Sequence, residues 1–150
     1  VLRVVRELLY TEPQRTGTSI KCALDYLLKV AKRKSVVFII SDFLDQDYWS
    51  SLKVVNRKHD VIGIRLYDHA EIDMPDMGLA KVEDPETGES FWVDTSSKDA
   101  RTRLKKEIQV RQEIFQKDTR KIGFDLIPIS TNQDFVEPLM SFFRMREKRY

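Results

Sequence analysis

The chain has 150 residues, 41% of them hydrophobic, which is enough apolar side chain for the core of one domain spanning residues 1–150. Its 26 basic and 24 acidic side chains leave a net charge of +2 at pH 7, and this argues against the broad basic face of a nucleic-acid-binding protein. No apolar run reaches the roughly 18 residues of a membrane span, and no charged-then-apolar leader opens the chain, so we expect a cytoplasmic protein. The single cysteine, Cys22, fits a reducing compartment, and its place in an apolar periodic run predicts a buried thiol.

The beginning of the sequence predicts two helices. Leu2, Val5 and Leu9 recur at helical spacing, and Pro13 with Gly17 ends this first element. The sequence starts inside that helix without a methionine, which predicts a fragment that lacks its N-terminal part. A second helix from about Thr18 would bury one stripe of apolar residues, namely Ile20, Ala23, Leu24, Leu27, Leu28 and Ala31.

A continuous apolar run, Val36 to Ser41, follows the second helix and is succeeded by Asp42. Strands that are covered by helices on both faces lose the alternation of apolar and polar residues, so this run is typical of a central parallel strand. A third helix that ends near His59 is expected to bury Trp49, and the run from Val61 to Leu66 predicts the next strand.

The pattern changes after Tyr67 and predicts an inserted β-hairpin. Its strands would be Leu79–Glu83 and Ser90–Val93, joined by the turn Pro85-Glu86-Thr87-Gly88. Phe91 and Trp92 in the second of these strands are expected to pack against the sheet, because aromatic burial contributes strongly to stability.

The last third of the sequence predicts a long charged helix, a strand and a final helix. The long helix would start at Ser96 or Ser97 and end at Gly123, which tolerates a left-handed backbone. The strand would be Phe124–Ile129, and Asp134 with Glu137 resembles a capping box. The order of elements predicts an α/β fold with a doubly wound, mostly parallel sheet, helices on both faces and an inserted β-hairpin.

Two short stretches could carry chemistry at the carboxyl edge of this sheet. Thr16-Gly17-Thr18-Ser19 precedes a helix and Ser41-Asp42 ends a strand, and ligand sites in open α/β sheets lie beyond the carboxyl ends of the strands. A hydroxyl and a carboxylate are oxygen ligands that suit Mg²⁺. Taken alone, Thr18 is better explained as an ordinary helix cap, whereas for Asp42 structural and metal-binding roles are evenly weighed.

These residues resemble a known family. Gly17-Thr18-Ser19-Ile20 and Val36 to Asp45 resemble the second and third metal-site motifs of von Willebrand factor A domains. The order of Ser41–Asp45, His59-Asp60-Val61, Asp84–Glu89 and Ser130–Asp134 is similar to a bacterial domain-of-unknown-function family, number fifty-eight. The resemblance extends from about Gln14 to Arg146, and its members are often encoded beside MoxR-type AAA+ ATPases.

The resemblance implies a protein-binding or scaffold module rather than an enzyme, with a MoxR-type AAA+ ATPase as the expected partner. Thr18 and Asp42 match the family's metal-site threonine and aspartate, so Mg²⁺ is the expected cofactor of the full-length protein. The first motif, Asp-x-Ser-x-Ser, is absent from this sequence, so we expect no tight cation binding by the fragment. A missing first strand would expose the edge of Val36–Ser41, and the fragment is expected to self-associate there or to cover the edge with its hairpin.

The alternative is a metal-dependent phosphoesterase or nuclease that uses Asp42, Asp45, Asp47 and Asp68. It is disfavoured because Asp45 and Asp47 are expected on a helix-capping turn rather than pointing inward, and because no general base is evident. A receiver domain phosphorylated on Asp42 would need a lysine at a later strand end, but the last predicted strand is followed by Ser130. The two histidines, His59 and His69, lack metal-ligand spacing and are expected at the surface.

The basic side chains of the long helix and the C-terminal tail are interrupted by acids and lack interleaved aromatics. They are therefore interpreted as solvated surface, and neither nucleic-acid nor membrane binding is predicted.

Overall fold

The structure is a computed structural model that describes residues 2–11, 17–69, 74–83 and 88–148. The elements in these ranges follow the predicted order. They are α1 (Leu2–Tyr10), α2 (Ile20–Val30), β1 (Val36–Ser41), α3 (Trp49–Lys58), β2 (Asp60–Tyr67), β3 (Leu79–Glu83), β4 (Ser90–Asp94), α4 (Lys98–Ile122), β5 (Asp125–Ser130) and α5 (Val136–Glu147).

The main sheet has three parallel strands in the order β1-β2-β5, so β2 is the central strand. Ile39 of β1 pairs with Gly63 of β2, and Ile64 of β2 pairs with Ile127 of β5. The predicted α/β class and the parallel sheet are confirmed. The finer assignment to a doubly wound, von Willebrand A-like fold stays a prediction.

Helices pack against both faces of this sheet. The first face, with Val37, Ile39 and Val61, forms a core with α2, α3 and α4. The second face packs against α5, through Leu139 and Phe142. The buried residues of the first cluster are Ile20, Leu24, Phe43, Tyr48, Leu52, Val55, Val61, Phe115 and Phe124. Those of the second cluster are Ile62, Ile64, Ile127, Ile129 and Phe142.

Gly63 allows an aromatic ring to lie directly on the central strand. A Cβ at this position would be 2.5 Å from the Phe124 Cζ and 2.9 Å from a Leu126 methyl. Real Cβ atoms do not approach other atoms so closely, and therefore any side chain at position 63 would displace the Phe124 ring.

The edge strand β1 is only half covered. Its side chains alternate between partly buried on the first face and exposed on the second face, where Val36, Phe38 and Ile40 lie. The hairpin does not cover this edge, because β3 and β4 form a separate two-stranded antiparallel sheet. The edge was expected to be covered either by the hairpin or by a second copy of the chain. In the described ranges the hairpin does not cover it, and self-association stays a prediction.

The structure corrects three expectations about individual side chains. Phe91 and Trp92 are exposed, the latter by 65%, because their strand pairs with β3 in a two-stranded sheet that is separate from the main sheet. Cys22 is also exposed, since it is two residues away from both Ile20 and Leu24 and so points to the opposite side of α2. His59 is buried.

His59 lies at the junction between α3 and β2, where the chain enters the sheet. Its backbone N–H donates to the Val55 carbonyl at 2.8 Å, and its side chain is only 2% exposed. Neither ring nitrogen has a hydrogen-bond partner among the described residues.

The helix ends agree closely with their sequence signals. Ser97 caps α4 by accepting from the Ala100 N–H, and Gly123 ends the helix with φ of 61°. The predicted capping box of α5 is wrong in detail, because Phe135 occupies the cap position while the Asp134 carboxylate accepts from the Val136 N–H. Three parts of the sequence predictions lie outside the described residues, namely Pro13, Thr16 and the Pro85-Glu86-Thr87 part of the hairpin turn.

Candidate functional site

The segment 42–48, which we call the strand-end loop, turns sharply after β1. The Ser41 hydroxyl accepts from the Phe43 N–H at 3.1 Å, and Asp42 Oδ1 accepts from the Leu44 N–H at 3.1 Å. Short polar side chains that bond the backbone two residues ahead stabilise such turns. The aspartate that was singled out from the sequence therefore also holds the loop in shape.

Phe43 and Asp47 in this loop adopt left-handed backbone conformations, with φ of 60° and 63°. This conformation is uncommon for a bulky residue and costs of the order of 1 kcal/mol or more. The Phe43 ring offsets that cost by entering the core, where its centroid lies 5.6 Å from Phe115 and 6.0 Å from Phe124. The loop is consequently anchored from below by an aromatic side chain.

Asp45 ties the strand-end loop to the beginning of α2. Its Oδ2 accepts from the Ile20 N–H at 2.7 Å and its Oδ1 accepts from the Gln46 N–H at 2.7 Å. The sequence suggested that Asp45 lies on a helix-capping turn, and the helix whose free N–H it accepts is α2, 25 residues earlier in the chain. At the same helix end, Ser19 Oγ accepts from the Cys22 N–H and is the N-cap.

The convergence of the two predicted stretches is visible in a groove between α2 and β1, which we call the edge groove. It has a volume of about 390 Å³. Thr18 lines it from the helix side and Ser41 from the end of the strand, while Leu24 and Ile39 form its apolar floor. Asp42 follows Ser41 and is exposed. The metal-binding role of Thr18 and Asp42 stays a prediction.

Carboxylates do not form a cluster at this edge. In the ranges that the structure describes, no group of three or more His, Cys, Asp or Glu side chains could hold a metal ion. Asp68 lies at the end of β2 and accepts from the Thr131 hydroxyl at 2.7 Å, whereas both oxygens of Asp45 accept backbone N–H groups. The set Asp42, Asp45, Asp47 and Asp68 is therefore not brought together as the hydrolase alternative requires.

Tyr48 closes the strand-end loop and is 1% exposed. Burial raises the pKa of the Tyr48 phenol, and the negative charge of Asp45 raises that pKa further. The hydroxyl therefore stays protonated and can act as a hydrogen-bond donor at any physiological pH. Its ring stacks on Trp49, with a centroid distance of 5.0 Å.

Arg65 was not recognised from the sequence as a candidate site residue. It lies on the first face of the sheet, opposite Ser41, and its guanidinium carbon is 5.0 Å from the centroid of the Phe115 ring. The sequence did contain a signal for Arg65, because this charged residue interrupts the otherwise apolar run from Val61 to Leu66. An arginine inside a central strand needs a partner or a role.

The described geometry defines an α/β protein with a parallel sheet whose strand-end loop meets a helix N-terminus. The chain belongs to the family described as "Protein of unknown function DUF58", whose model matches residues 1–114. This confirms the family resemblance, and the description assigns no activity.

Three relatives of the chain are described as uncharacterized proteins. A protein of Mycobacterium avium is 26% identical over 129 residues, which cover 84% of this chain and 75% of that protein. Proteins of Mycobacterium tuberculosis and Mycobacterium bovis are each 28% identical over 131 residues. The chain spans 40% of the length of these two longer relatives. No solved structure matches the chain. Among the described residues, every helix is too short or too polar to cross a bilayer.

Proposed function

We propose that this chain is a protein-binding or scaffold module, resembling a von Willebrand A domain, that works with a MoxR-type AAA+ ATPase. The observation that carries the proposal is the uncovered edge of β1. Ile40 on this strand is 63% exposed, and Val36 and Phe38 on the same face are also exposed. Isolated apolar residues at a surface are ordinary, but a row of three on an edge strand is typical of an interaction surface.

The backbone of β1 supports the same role. Its outer edge has no neighbouring strand among the described residues, so its N–H and C=O groups are available to an incoming chain. Val36–Ser41 contains no charged residue, proline or glycine, which are the usual means of preventing edge pairing. The edge groove beside the strand offers an apolar pocket for side chains of the partner.

The cation part of the proposal rests on two oxygen donors near one end of the edge groove. Thr18, which lines the groove, would supply a hydroxyl, and the exposed Asp42, which follows the groove residue Ser41, would supply a carboxylate; a carboxylate of the partner would complete the coordination of Mg²⁺. Mg²⁺ usually retains several waters, so a site with few protein ligands is chemically reasonable. The arrangement supports binding rather than hydrolysis, because the acids of the loop hold the backbone instead of meeting in a catalytic cluster.

The partner proposal is tested with the chain of residues 1–150, in which the edge of β1 has no neighbouring strand among the described residues, and a purified MoxR-type ATPase from the same organism. Binding is measured by biolayer interferometry in Mg²⁺ and in EDTA. Ile40→Lys places a charge on the exposed edge and is expected to weaken binding by about tenfold or more, since a buried unpaired charge opposes association. The matched control is Val54→Lys, which changes an equally exposed apolar residue on α3. Equal binding of both variants would refute the role of the edge.

The cation proposal is tested by calorimetric titration of Mg²⁺ into the full-length protein and its Asp42→Asn variant. Asparagine can still accept from the Leu44 N–H, so the loop keeps its shape while the charge is lost. Asp47→Asn is the control, because it removes a nearby acid that the proposal does not use. Equal heats for the original protein and Asp42→Asn would exclude the predicted site.

A further inference from the structure

A second cavity lies on the other side of the strand-end loop, between this loop and α4. We call it the arginine cavity. Its volume is about 310 Å³, which is at the lower end of the range for small-molecule sites. Phe43, Trp49 and Phe115 supply aromatic walls, and the guanidinium groups of Arg65 and Arg111 border the space.

Arg65 enters the cavity from the sheet. Its Nε is buried and has no hydrogen-bond partner among the described residues. The guanidinium lies over the Phe115 ring at 5.0 Å, and this cation–π contact is the one attraction that the described structure gives it. A buried N–H of a charged group that lacks an acceptor is costly, because it has lost water without replacement. An acceptor inside the cavity would remove this penalty.

Arg111 enters from α4 and is exposed. The ion pairs of the described residues include neither Arg111 nor Arg65. Two guanidinium groups therefore border one small space, and neither forms a described ion pair with the two acids that also line it. Guanidinium groups provide paired N–H donors in a planar fork that matches carboxylate and phosphate oxygens.

The two acids that border the cavity are already engaged. Both carboxylate oxygens of Asp45 accept backbone N–H groups, from Ile20 and from Gln46. Asp118 forms an ion pair of 2.8 Å with Lys121 one turn further along α4. Both acids keep their negative charge, so what favours an anion here is the unpartnered Nε of Arg65 rather than a net positive charge.

We infer that the arginine cavity binds a small organic anion, whose carboxylate or phosphate head group is held between Arg65 and Arg111. The adjoining rings of Trp49 and Phe115, whose centroids are 5.5 Å apart, form one aromatic wall against which the apolar or planar body of the ligand lies. The protonated Tyr48 hydroxyl, which also borders the cavity, adds a neutral donor. This site is separate from the β1 edge, so the inference does not depend on the proposed partner.

The test uses Trp49 as a reporter. The protein has two tryptophans. Trp92 is exposed on the hairpin, so Trp92→Phe leaves Trp49 as the single tryptophan in this chain without disturbing the core. Fluorescence is recorded during titration with inorganic phosphate and, separately, with acetate, against potassium chloride at equal ionic strength. A stronger response to phosphate assigns a phosphorylated ligand, and a stronger response to acetate assigns a carboxylate.

Arg111→Gln and Arg65→Gln, each in the Trp92→Phe protein, are each expected to weaken binding of the preferred anion by about tenfold or more, which corresponds to one lost charge-assisted hydrogen bond. Arg111 is on the surface, so its variant stays folded even if Arg65→Gln is unstable. The matched control is Arg103→Gln, an exposed arginine on the same helix. A response no larger than that to chloride, or affinities that fall equally in the Arg103 control, would overturn the inference.

Discussion

The strands β1 and β2 are neighbours with similar apolar sequences, yet their surroundings differ sharply. Ile62 of β2 is fully buried beneath α5, whereas Ile40 of β1 is 63% exposed on the same face of the sheet. The difference arises because α5 packs over β2 and β5 and leaves most of β1 uncovered. The hydrophobicity of a strand thus reports its preference for burial, while the neighbouring elements decide whether burial occurs.

The sharpest test of this contrast replaces one isoleucine in each strand. Ile62→Ala is expected to lower the free energy of unfolding by about 3 kcal/mol, because it leaves a cavity in a packed core. Ile40→Ala should cost less than about 1 kcal/mol, since its side chain is already mostly in water. Urea denaturation of the two variants measures both changes in the free energy of unfolding. A large loss for Ile40→Ala would reveal that β1 is covered in solution.

A second test adds volume to the central strand. Gly63→Ala is expected to destabilise the protein by about 1–3 kcal/mol, because the new Cβ would collide with the Phe124 ring and the Leu126 methyl. Thermal denaturation followed by circular dichroism measures the change. The control is Ser35→Ala, beside β1 and outside the core. Gly88→Ala is unsuitable as a control because Gly88 has a positive φ, which alanine rarely adopts. An unchanged melting temperature for Gly63→Ala would contradict the observed packing.

A third test addresses the ends of the covered strands. Arg146 of α5 contacts Asp60 at 2.6 Å and Asp125 at 3.4 Å, and so clamps the beginnings of β2 and β5. Arg146→Ala should cost about 1–2 kcal/mol, because the partly exposed aspartates lose their shared cation and then repel each other. Arg144→Ala, on the same helix, is the control in the same urea experiment. An equal loss of unfolding free energy in Arg146→Ala and Arg144→Ala would show that the ion pairs of Arg146 do not stabilise the protein.

The smallest effect on stability, and the most informative for the exposed edge, is expected from Ile40→Lys. We expect two copies of the chain to pair along β1 at high protein concentration, and the added charge should abolish this association while the melting temperature changes little. Sedimentation velocity measures the association. Val54→Lys should leave it intact, and a purely monomeric protein before mutation would contradict self-pairing.

The sequence predicted the elements well where local signals are strong. The cap of α4, expected at Ser96 or Ser97, and the terminator Gly123 were identified from residue type and position, because such residues act on the backbone within one turn of the chain. The apolar runs predicted β1 and β2 for a similar reason. Apart from the capping box of α5, the expectations that were wrong, for Phe91, Trp92, Cys22 and His59, concerned burial, which depends on elements distant in the chain.

The candidate site was predicted in part. Thr18 and Asp42 were chosen from the rule that functional groups gather at the carboxyl ends of parallel strands, and the edge groove does join Thr18 to the end of β1. The roles of Asp45 and Arg65 could not be predicted in the same way. The contact from Asp45 to Ile20 spans 25 residues, and the surroundings of Arg65 are formed by α4, about fifty residues later.

The sequence by itself determined the α/β class, the order of the elements and the family, because periodicity, capping residues and short motifs act locally along the chain. Only the tertiary structure decided which face of β1 stays uncovered and which side chains surround Arg65. Both properties depend on how distant helices pack on the sheet, and no local pattern of residues encodes that packing.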